Sequence, residues 1–146
     1  MINWKKYFDK IICVNFSEFK VRRELLEFEL DRVGILNSGI FEWQFTFNGP
    51  YEKLYGKMVR EEGIKLTDAR VSCILGHLNA LKKAYYSGCK RLLIIEDDER
   101  FLKKLDRIEQ ILDKLPEDYD LVYLDKFING YNNANKILRN EHNFIN

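Results

Sequence analysis

Continuous apolar runs alternate along this chain with segments whose apolar residues recur every three or four positions. The runs at 11–16, 91–95 and 120–125 are largely apolar and predict buried strands, and 91–95 is expected to be the central one, buried on both faces. Aromatic and polar residues alternate over 41–47, which predicts a half-buried strand. Strands that alternate with helices favour an α/β fold, in which a mainly parallel sheet is flanked by helices.

Helical spacing predicts one helix after the first strand and another near the end of the chain. The earlier helix is expected to begin after Ser17, a plausible N-cap, and to end at Gly34, a suitable C-cap. The later helix spans 102–115, and Pro116 supplies its stop. Two neighbouring apolar rows line the earlier helix, namely Val21, Leu25 and Phe28, and Leu26, Leu30 and Val33.

The strongest helical pattern lies in the middle of the chain. Thr67 is a suitable N-cap, Asp68 suits the positive end of the helix dipole, and Ser87-Gly88 ends the pattern. The apolar residues that trace one face of this helix are Val71, Ile74, Leu78, Leu81 and Tyr85. The preceding segment, 51–64, has weak helical order and is interpreted as an irregular or short-helical connection.

Composition and charge narrow the class of protein. Of the 146 residues, 46% are hydrophobic and 14% aromatic, which is enough for one globular core. The net charge of +1 argues against a general nucleic-acid binder and against attachment to membranes by charge alone. No apolar run approaches the about 18 residues that span a bilayer, and the N-terminus lacks a signal-peptide core. Peripheral membrane association and oligomerisation stay open.

The chain has three cysteines at spacings that match neither a zinc knuckle nor a redox pair: Cys13, Cys73 and Cys89. Their odd number predicts reduced thiols in a cytoplasmic protein. Cys73 and His77 lie four positions apart on one helix face and could form a metal pair, but no further ligand is expected near them. They share their row with Ala80 and Ala84, so packing with a polar tether from His77 is the preferred interpretation.

The run 91–95 stops at four acidic residues, 96–99. In open α/β sheets, ligands gather beyond the carboxyl ends of the strands. Residues i and i+2 of an extended chain project to the same side, so Glu96 and Asp98 are expected to face one ligand while Asp97 points away. Such oxygen ligands suit Mg²⁺ or Mn²⁺ together with substrate phosphates. A solvated loop and helix entry is the alternative interpretation.

Two segments, 66–81 and 93–98, together resemble the glycosyltransferases of family 25, which include lipopolysaccharide galactosyltransferases and collagen galactosyltransferases. The shared pattern is an opening Leu-Thr, a cysteine four residues before a histidine, and an apolar strand that ends in Glu-Asp-Asp. The segment 14–16, followed by Arg22-Arg23, and the segment 120–124 fit the same order. The resemblance therefore runs through most of the chain.

The resemblance implies a GT-A nucleotide-sugar fold over residues 1–128, followed by an Asn-rich tail at 129–146. It implies transfer of a hexose from a nucleotide sugar, such as UDP-galactose or UDP-glucose, to a glycan or protein acceptor. The acidic triplet would act as a DXD-like motif and hold Mn²⁺ or Mg²⁺ on the donor diphosphate. Asp98 is then the best candidate for direct metal contact, Glu96 would help to hold the ion or the donor ribose, and Asp97 completes the donor-binding triplet.

Three further residues are candidates for contact with the nucleotide. Asn15 ends the first strand, where a base or ribose lies in such a sheet. Arg22 or Arg23 could approach the diphosphate, because an arginine fork matches phosphate geometry. The alternative for both arginines is an ordinary solvated helix face.

The chain also departs from the family pattern. Arg70 stands where the family has a glutamate, and Gly76 stands where a serine precedes the histidine. Family members continue well past 121–124 with an acceptor-binding half, whereas here only the short tail follows. Asp125 is a candidate catalytic base, with a helix or turn acid as its alternative role. An inactive nucleotide-binding or interaction module, and a domain that needs a second chain to cover its sheet edge, are therefore rival hypotheses.

Overall fold

A computed structural model of the chain describes residues 2–46, 50–101, 105–122 and Leu124. The chain divides into two units, Met1–Leu112 and Asp113–Asn146. The described residues of the second unit lie in neither a helix nor a strand. Every helix and strand of the described residues therefore belongs to the first unit.

The described part of the chain contains three strands and five helices. In chain order they are α1 (Trp4–Tyr7), β1 (Lys10–Phe16), α2 (Lys20–Arg32), β2 (Phe41–Thr46), α3 (Pro50–Glu61), α4 (Asp68–Tyr86), β3 (Leu92–Glu96) and α5 (Leu105–Leu112). Both strand pairings are parallel. The predicted fold class is confirmed, because a parallel sheet flanked by helices is a Rossmann-like α/β arrangement.

The strand order places a topological switch point between β1 and β3. The sheet has the order β2-β1-β3, so the chain passes from β1 to one side and then returns to the other. In such sheets the crevice beyond the strand ends at this point is the usual ligand position. The register pairs Val14 of β1 with Glu96 of β3, which brings the carboxyl ends of the two strands together.

The central strand is β1, which corrects the expectation for 91–95. Residues 11–14 are buried, whereas Leu92, Leu93 and Ile94 are partly exposed and β3 lies at an edge of the described sheet. Both runs are apolar, so their composition alone could not say which one has a neighbour on each side. One face of the core is formed by Ile12, Val14, Ala80, Leu92 and Ile94.

Helix α4 buries a different face from the one predicted. Thr67 caps it as expected, with its hydroxyl accepting from the Arg70 N–H, and Gly88 follows the helix end with a φ of 74°. Of the predicted apolar row, only Val71 is buried. The other four residues are exposed, namely Ile74, Leu78, Leu81 and Tyr85. The buried row consists mainly of small residues, namely Val71, Ser72, Leu75, Gly76, Ala80 and Ala84. Small side chains occupy the buried face of the helix because α4 packs closely on the sheet.

The close packing is tightest at Gly76. A Cβ added there would meet Val14 Cγ1 at 2.7 Å and would overlap Cγ2 of Thr46. Both neighbours are buried and branched at Cβ, so neither can swing aside freely. The glycine therefore allows α4 to lie against the ends of β1 and β2.

Helix α2 keeps one of its two predicted apolar rows in the core. Leu26, Leu30 and Val33 are fully buried, whereas the neighbouring row is exposed: Val21, Leu25 and Phe28. Gly34 follows the helix with a φ of 77°, as expected for the residue after a C-cap. The predicted N-cap is wrong, because the helix begins at Lys20 with Phe19 at the cap position and no side-chain hydrogen bond there.

The segment interpreted as an irregular or short-helical connection contains a helix of 12 residues. Helix α3 runs from Pro50, whose fixed φ suits a first helical turn, and Gly56 within it is buried. A Cβ at Gly56 would approach Asp68 Oδ1 to 2.8 Å, so this glycine admits the ion pair between Arg60 and Asp68, whose atoms are 2.7 Å apart. That pair fastens α3 to the start of α4.

Two expectations fall near the end of the described chain. The predicted helix over 102–115 is present as Leu105–Leu112, with 102–104 outside the described residues. The strand predicted over 120–125 is absent at 120–122 and Leu124, which have no strand pairing, while positions 123 and 125 lie outside the described residues. Apolar composition made this run resemble β1 and β3, but a strand also needs a neighbour to pair with.

Two further expectations concern the state of the three cysteines and whether any helix could span a membrane. Cys13, Cys73 and Cys89 are all free thiols. Within the described ranges, no helix is both long enough and apolar enough to cross a membrane.

Replacing Gly76 with alanine tests the close approach of α4. Inside a helix, alanine normally stabilises the folded state by about 1 kcal/mol relative to glycine. Here overpacking against Val14 and Thr46 outweighs that gain, so Gly76→Ala should lower the free energy of unfolding by at least about 1 kcal/mol. Urea denaturation measures the change. Asn79→Ala, an exposed site on the same helix, is the control and should leave stability equal or slightly higher.

Asp9 fastens the start of β3 to the start of β1. Its Oδ2 accepts from the backbone N–H of Lys90 at 2.9 Å and of Arg91 at 2.8 Å, and its own N–H donates to the Arg91 carbonyl at 2.9 Å. The hydrogen bonds from Arg91 and Lys90 hold the pKa of the Asp9 carboxyl below its usual value. The ionised form therefore stabilises the fold.

The lowered pKa of Asp9 predicts a pH-dependent stability difference. The ionised Asp9 carboxylate contributes its full stabilisation above the pKa that it has in the unfolded chain, about 3.9. This stabilisation is lost as the pH falls through the lower pKa of the folded protein. Asp9→Asn should destabilise the protein at pH 7 by less than about 1 kcal/mol, because water screens this exposed group. Urea unfolding at pH 7 and again in strong acid should show the difference from wild type shrinking. A constant difference would contradict the assignment.

Candidate functional site at the carboxyl edge of the sheet

The polar residues of the switch point come from three elements. Asn15 lies near the end of β1, Glu96 ends β3, and Asp97 and Asp98 form the turn after β3. Arg22 lies in the first turn of α2 and reaches this turn. The loop after β1 is short, so α2 begins directly above the edge where β1 and β3 meet. Chain segments far apart in sequence thus supply one cluster.

Asp97 is the buried member of this cluster, with 6% of its surface exposed. Its Oδ2 accepts from Asn15 Nδ2 at 2.8 Å and from the Phe16 N–H at 3.4 Å, and its Oδ1 lies 3.1 Å from a guanidinium nitrogen of Arg22. A buried carboxylate is tolerated only when it is paired and hydrogen-bonded. The sequence suggested a donor-binding role for Asp97, and the structure places it as the link between β1, β3 and α2.

Arg22 bridges two carboxylates. One of its nitrogens lies beside Asp97, and the other donates to Asp98 Oδ2 at 2.6 Å. The Asp98 side chain is 58% exposed, so this second pair faces water. The guanidinium also lies over the ring of Phe19, 5.3 Å from its centroid. Arg22 is therefore held beside the acids.

Exposure alternates over the three acids as expected, with Asp97 buried between exposed Glu96 and Asp98, but their contacts group differently. Asp97 and Asp98 share Arg22, whereas Glu96 contacts His77 with 3.2 Å between Oε1 and Nε2. The reason is that the strand ends at Glu96, so the two aspartates lie in a turn rather than in extended chain. The i and i+2 rule applies only while the chain stays extended.

Asn15 carries an unusual polar atom. It is fully buried, and its Oδ1 has no hydrogen-bond partner within the described part of the chain. A buried acceptor without a partner costs about 1–3 kcal/mol, so such an atom usually meets water or a ligand. The amide is fixed on its other side by Asp97, so its direction is set by the fold.

Glu96 forms a second group with two residues of α4. Ligand atoms of Cys73, His77 and Glu96 all lie within 4.8 Å of one another. Burial raises the pKa of the Cys73 thiol, and the charges of Glu96, Asp97 and Asp98 raise it further. The expectation that Cys73 and His77 have no further ligand nearby is wrong. The packing of α4 beside the end of β3 supplies it, which the sequence spacing could not show.

Two predicted site residues lie elsewhere. The Arg23 guanidinium lies over the ring of Phe45 in β2, 5.5 Å from its centroid, rather than beside the acids. Asp125 lies outside the described residues.

The donor atoms at this edge suit a hard divalent cation. The Glu96 and Asp98 side chains are 52% and 58% exposed and offer carboxylate oxygens. Mg²⁺ and Mn²⁺ take such oxygens from one or two carboxylates and fill the remaining positions with water or phosphate. The chemistry of these oxygens fits such an ion, while Asp98 now pairs with Arg22 and Glu96 contacts His77.

The fold and the cluster define an α/β protein with a charged polar site at its topological switch point. Compared with known proteins, the chain is 26% identical over 139 residues to procollagen galactosyltransferase 2 of Mus musculus. The matched region covers 84% of this chain and 21% of the mouse protein, so the chain spans about a fifth of that relative's length. No known family profile and no solved structure matches the chain. The chain is therefore distantly similar to a glycosyltransferase.

Removing the charge of Asp97 should separate its role from that of Asp98. Asp97→Asn leaves the Arg22 charge partly unpaired beside Asn15 and should lower the free energy of unfolding by about 2–4 kcal/mol. Asp98→Asn, the matched control on the same arginine, should change it by less than about 1 kcal/mol because the pair is exposed. Urea denaturation of both variants at pH 7 measures this. Equal losses would contradict the buried role of Asp97.

Proposed function

We propose that this chain is the donor-binding part of a glycosyltransferase, which transfers a hexose from a nucleotide sugar to a glycan or protein acceptor. UDP-galactose and UDP-glucose are the donors we favour. The observation that carries the proposal is the convergence of Asn15, Arg22 and the acidic turn at the switch point between β1 and β3. The distant similarity to a galactosyltransferase supports the same function.

In this proposal, the buried amide of Asn15 faces the nucleoside. Its Oδ1 is free to accept from a ribose hydroxyl or from a base N–H, while Asp97 fixes the amide from behind. A preset acceptor binds more tightly than one that must be ordered on binding. Asp97 thus acts on the donor through Asn15.

The diphosphate would lie beside Arg22, with Asp98 and Glu96 holding Mn²⁺ or Mg²⁺. Asp98 now accepts from one guanidinium nitrogen of Arg22 at 2.6 Å, so Asp98 would have to give up this contact in order to hold an ion. The nitrogen that now pairs with Asp98 would then be free to pair with a phosphate oxygen, while the other guanidinium nitrogen stays beside Asp97. When bound, the ion would neutralise charge on the departing nucleotide diphosphate.

Inverting transfer also requires a carboxylate near the acceptor hydroxyl to remove its proton. Asp125 is our candidate for this base, on the strength of the sequence alone. Asp97 is unsuited to the role, because it is buried and already accepts from Asn15 and Phe16.

Binding of a nucleotide without transfer is the second candidate function. It is favoured by the state of the described acids at this edge: Asp97 and Asp98 are engaged by Arg22, and Glu96 by His77. None of these three carboxylates is left unengaged to serve as a base. Incubation with radiolabelled UDP-galactose or UDP-glucose and a panel of glycan and collagen-peptide acceptors separates the two functions.

Calorimetry with UDP tests the donor site itself. Wild type should bind UDP in the presence of Mn²⁺, and at least about tenfold more weakly after chelation, because the ion neutralises the diphosphate. Asp98→Ala should lose this dependence on Mn²⁺. Glu62→Gln, an exposed carboxylate of the turn after α3, is the control and should behave as wild type.

Two results would overturn the donor site. One is the absence of any UDP binding by wild type with Mn²⁺. The other is an Asp98→Ala variant that binds UDP with the wild-type dependence on the ion. A parallel titration with GDP tests which nucleobase the site prefers. Equal affinity for UDP and GDP would contradict the choice of a uridine donor.

A further inference from the structure

Cys73, His77 and Glu96 bring three different ligand atoms to one place. Cys73 and His77 are four residues apart on α4, so their side chains emerge one above the other on the same face. Glu96 ends β3, beside that face. The sulfur, nitrogen and oxygen atoms lie within 4.8 Å of one another. Two elements that are separate in sequence thus converge at a group with the chemistry of a metal site.

We propose that these three residues form a transition-metal site that takes Zn²⁺. A thiolate, an imidazole and a carboxylate are the ligands that zinc combines, whereas Mg²⁺ and Mn²⁺ prefer oxygen alone. The site is therefore chemically distinct from the oxygen site proposed for the donor. It does not depend on nucleotide-sugar transfer, and it holds whether or not the chain binds UDP.

The distances are compatible with tetrahedral coordination after small side-chain rotations. Zinc ligands lie about 2.0–2.3 Å from the metal, so that neighbouring ligand atoms are about 3.3–3.8 Å apart. His77 Nε2 and Glu96 Oε1 are already 3.2 Å apart. The widest separation in the group is at most 4.8 Å, so a closure of about 1 Å is needed. Cys73 and His77 are each only partly buried, which leaves their side chains room for it.

Exposure also decides what kind of zinc site this is. Only three protein ligands are present in the group, and Glu96 is half exposed, so the fourth position faces solvent. An open fourth position holds water or an exogenous ligand. Binding replaces the proton of the Cys73 thiol, which leaves to solvent.

The site would share Glu96 with the donor edge. When Glu96 is bound to zinc, Asp98 is left as the acidic residue that can hold an ion on a diphosphate. Zinc bound at α4 would then fix the end of β3 to the helix and hold the adjoining turn in place.

Titration with Co²⁺ under reducing conditions, without nucleotide, tests the site. Cobalt replaces zinc in such sites, and a cobalt–thiolate bond gives a charge-transfer band in the near ultraviolet that oxygen sites lack. Wild type should bind one Co²⁺ with this band and with visible bands of tetrahedral intensity. Added Zn²⁺ should displace the cobalt and abolish both.

The variants identify the ligands. Cys73→Ser should abolish the charge-transfer band, and Cys89→Ser, which changes the other partly buried thiol, should retain it. His77→Gln should keep the band but weaken Co²⁺ affinity at least about tenfold, since even outer-shell changes cost that much. Circular dichroism establishes that each variant is folded, and His77→Gln carries the test if Cys73→Ser is not.

Three outcomes would overturn the proposal. These are wild type without a charge-transfer band, a band that survives in folded Cys73→Ser, and an unchanged Co²⁺ affinity in His77→Gln. The UDP titration with Mn²⁺ is run on Cys73→Ser in parallel. Wild-type UDP binding by this variant, together with loss of the cobalt band, shows that donor binding does not require the metal site of Cys73.

Discussion

A carboxylate enclosed by protein at the end of β3 is the constraint on which the carboxyl edge depends. The Asp97 carboxylate needs a positively charged partner and hydrogen-bond donors at its buried position, because burying an unpaired charge costs free energy. Arg22 provides the charge, and Asn15 and the Phe16 N–H provide the hydrogen bonds. These partners tie α2 and β1 to β3. The direction of the Asn15 amide and the position of the Arg22 fork therefore follow from one buried charge.

Much of the strand framework follows from the sequence, since β1 and β3 are largely apolar runs. The buried face of α4 does not follow. Periodicity measures hydrophobicity, whereas close approach to a sheet depends on side-chain volume, so Gly76 and Ala80 face the core while Ile74 faces water. The run near Leu121 shows the complementary failure: apolar composition is necessary for a strand, but pairing partners decide.

The candidate site was predictable to a similar extent. An acidic turn beyond an apolar strand indicates the carboxyl edge of the sheet, and the sequence put forward Asn15 and either Arg22 or Arg23 as nucleotide contacts. In the structure, Asn15 and Arg22 both contact Asp97 at that edge. The grouping of the acids was not predictable, because the strand ends at Glu96 and the turn redirects the side chains of Asp97 and Asp98. The partnership of Glu96 with His77 depends on how α4 lies over β3. Such a contact joins distant segments, and local patterns carry no information about it.

The contact of Gly76 with β1 and β2 has a consequence for how related sequences can vary. Its missing side chain is matched by the bulk of Val14 and Thr46, so the three positions share one volume. A relative with a larger residue at the position of Gly76 needs a smaller one on a strand, or a helix set farther from the sheet. The residues at these three positions should therefore change together among homologues. Their combined side-chain volume would then indicate how far the helix lies from the sheet in each homologue.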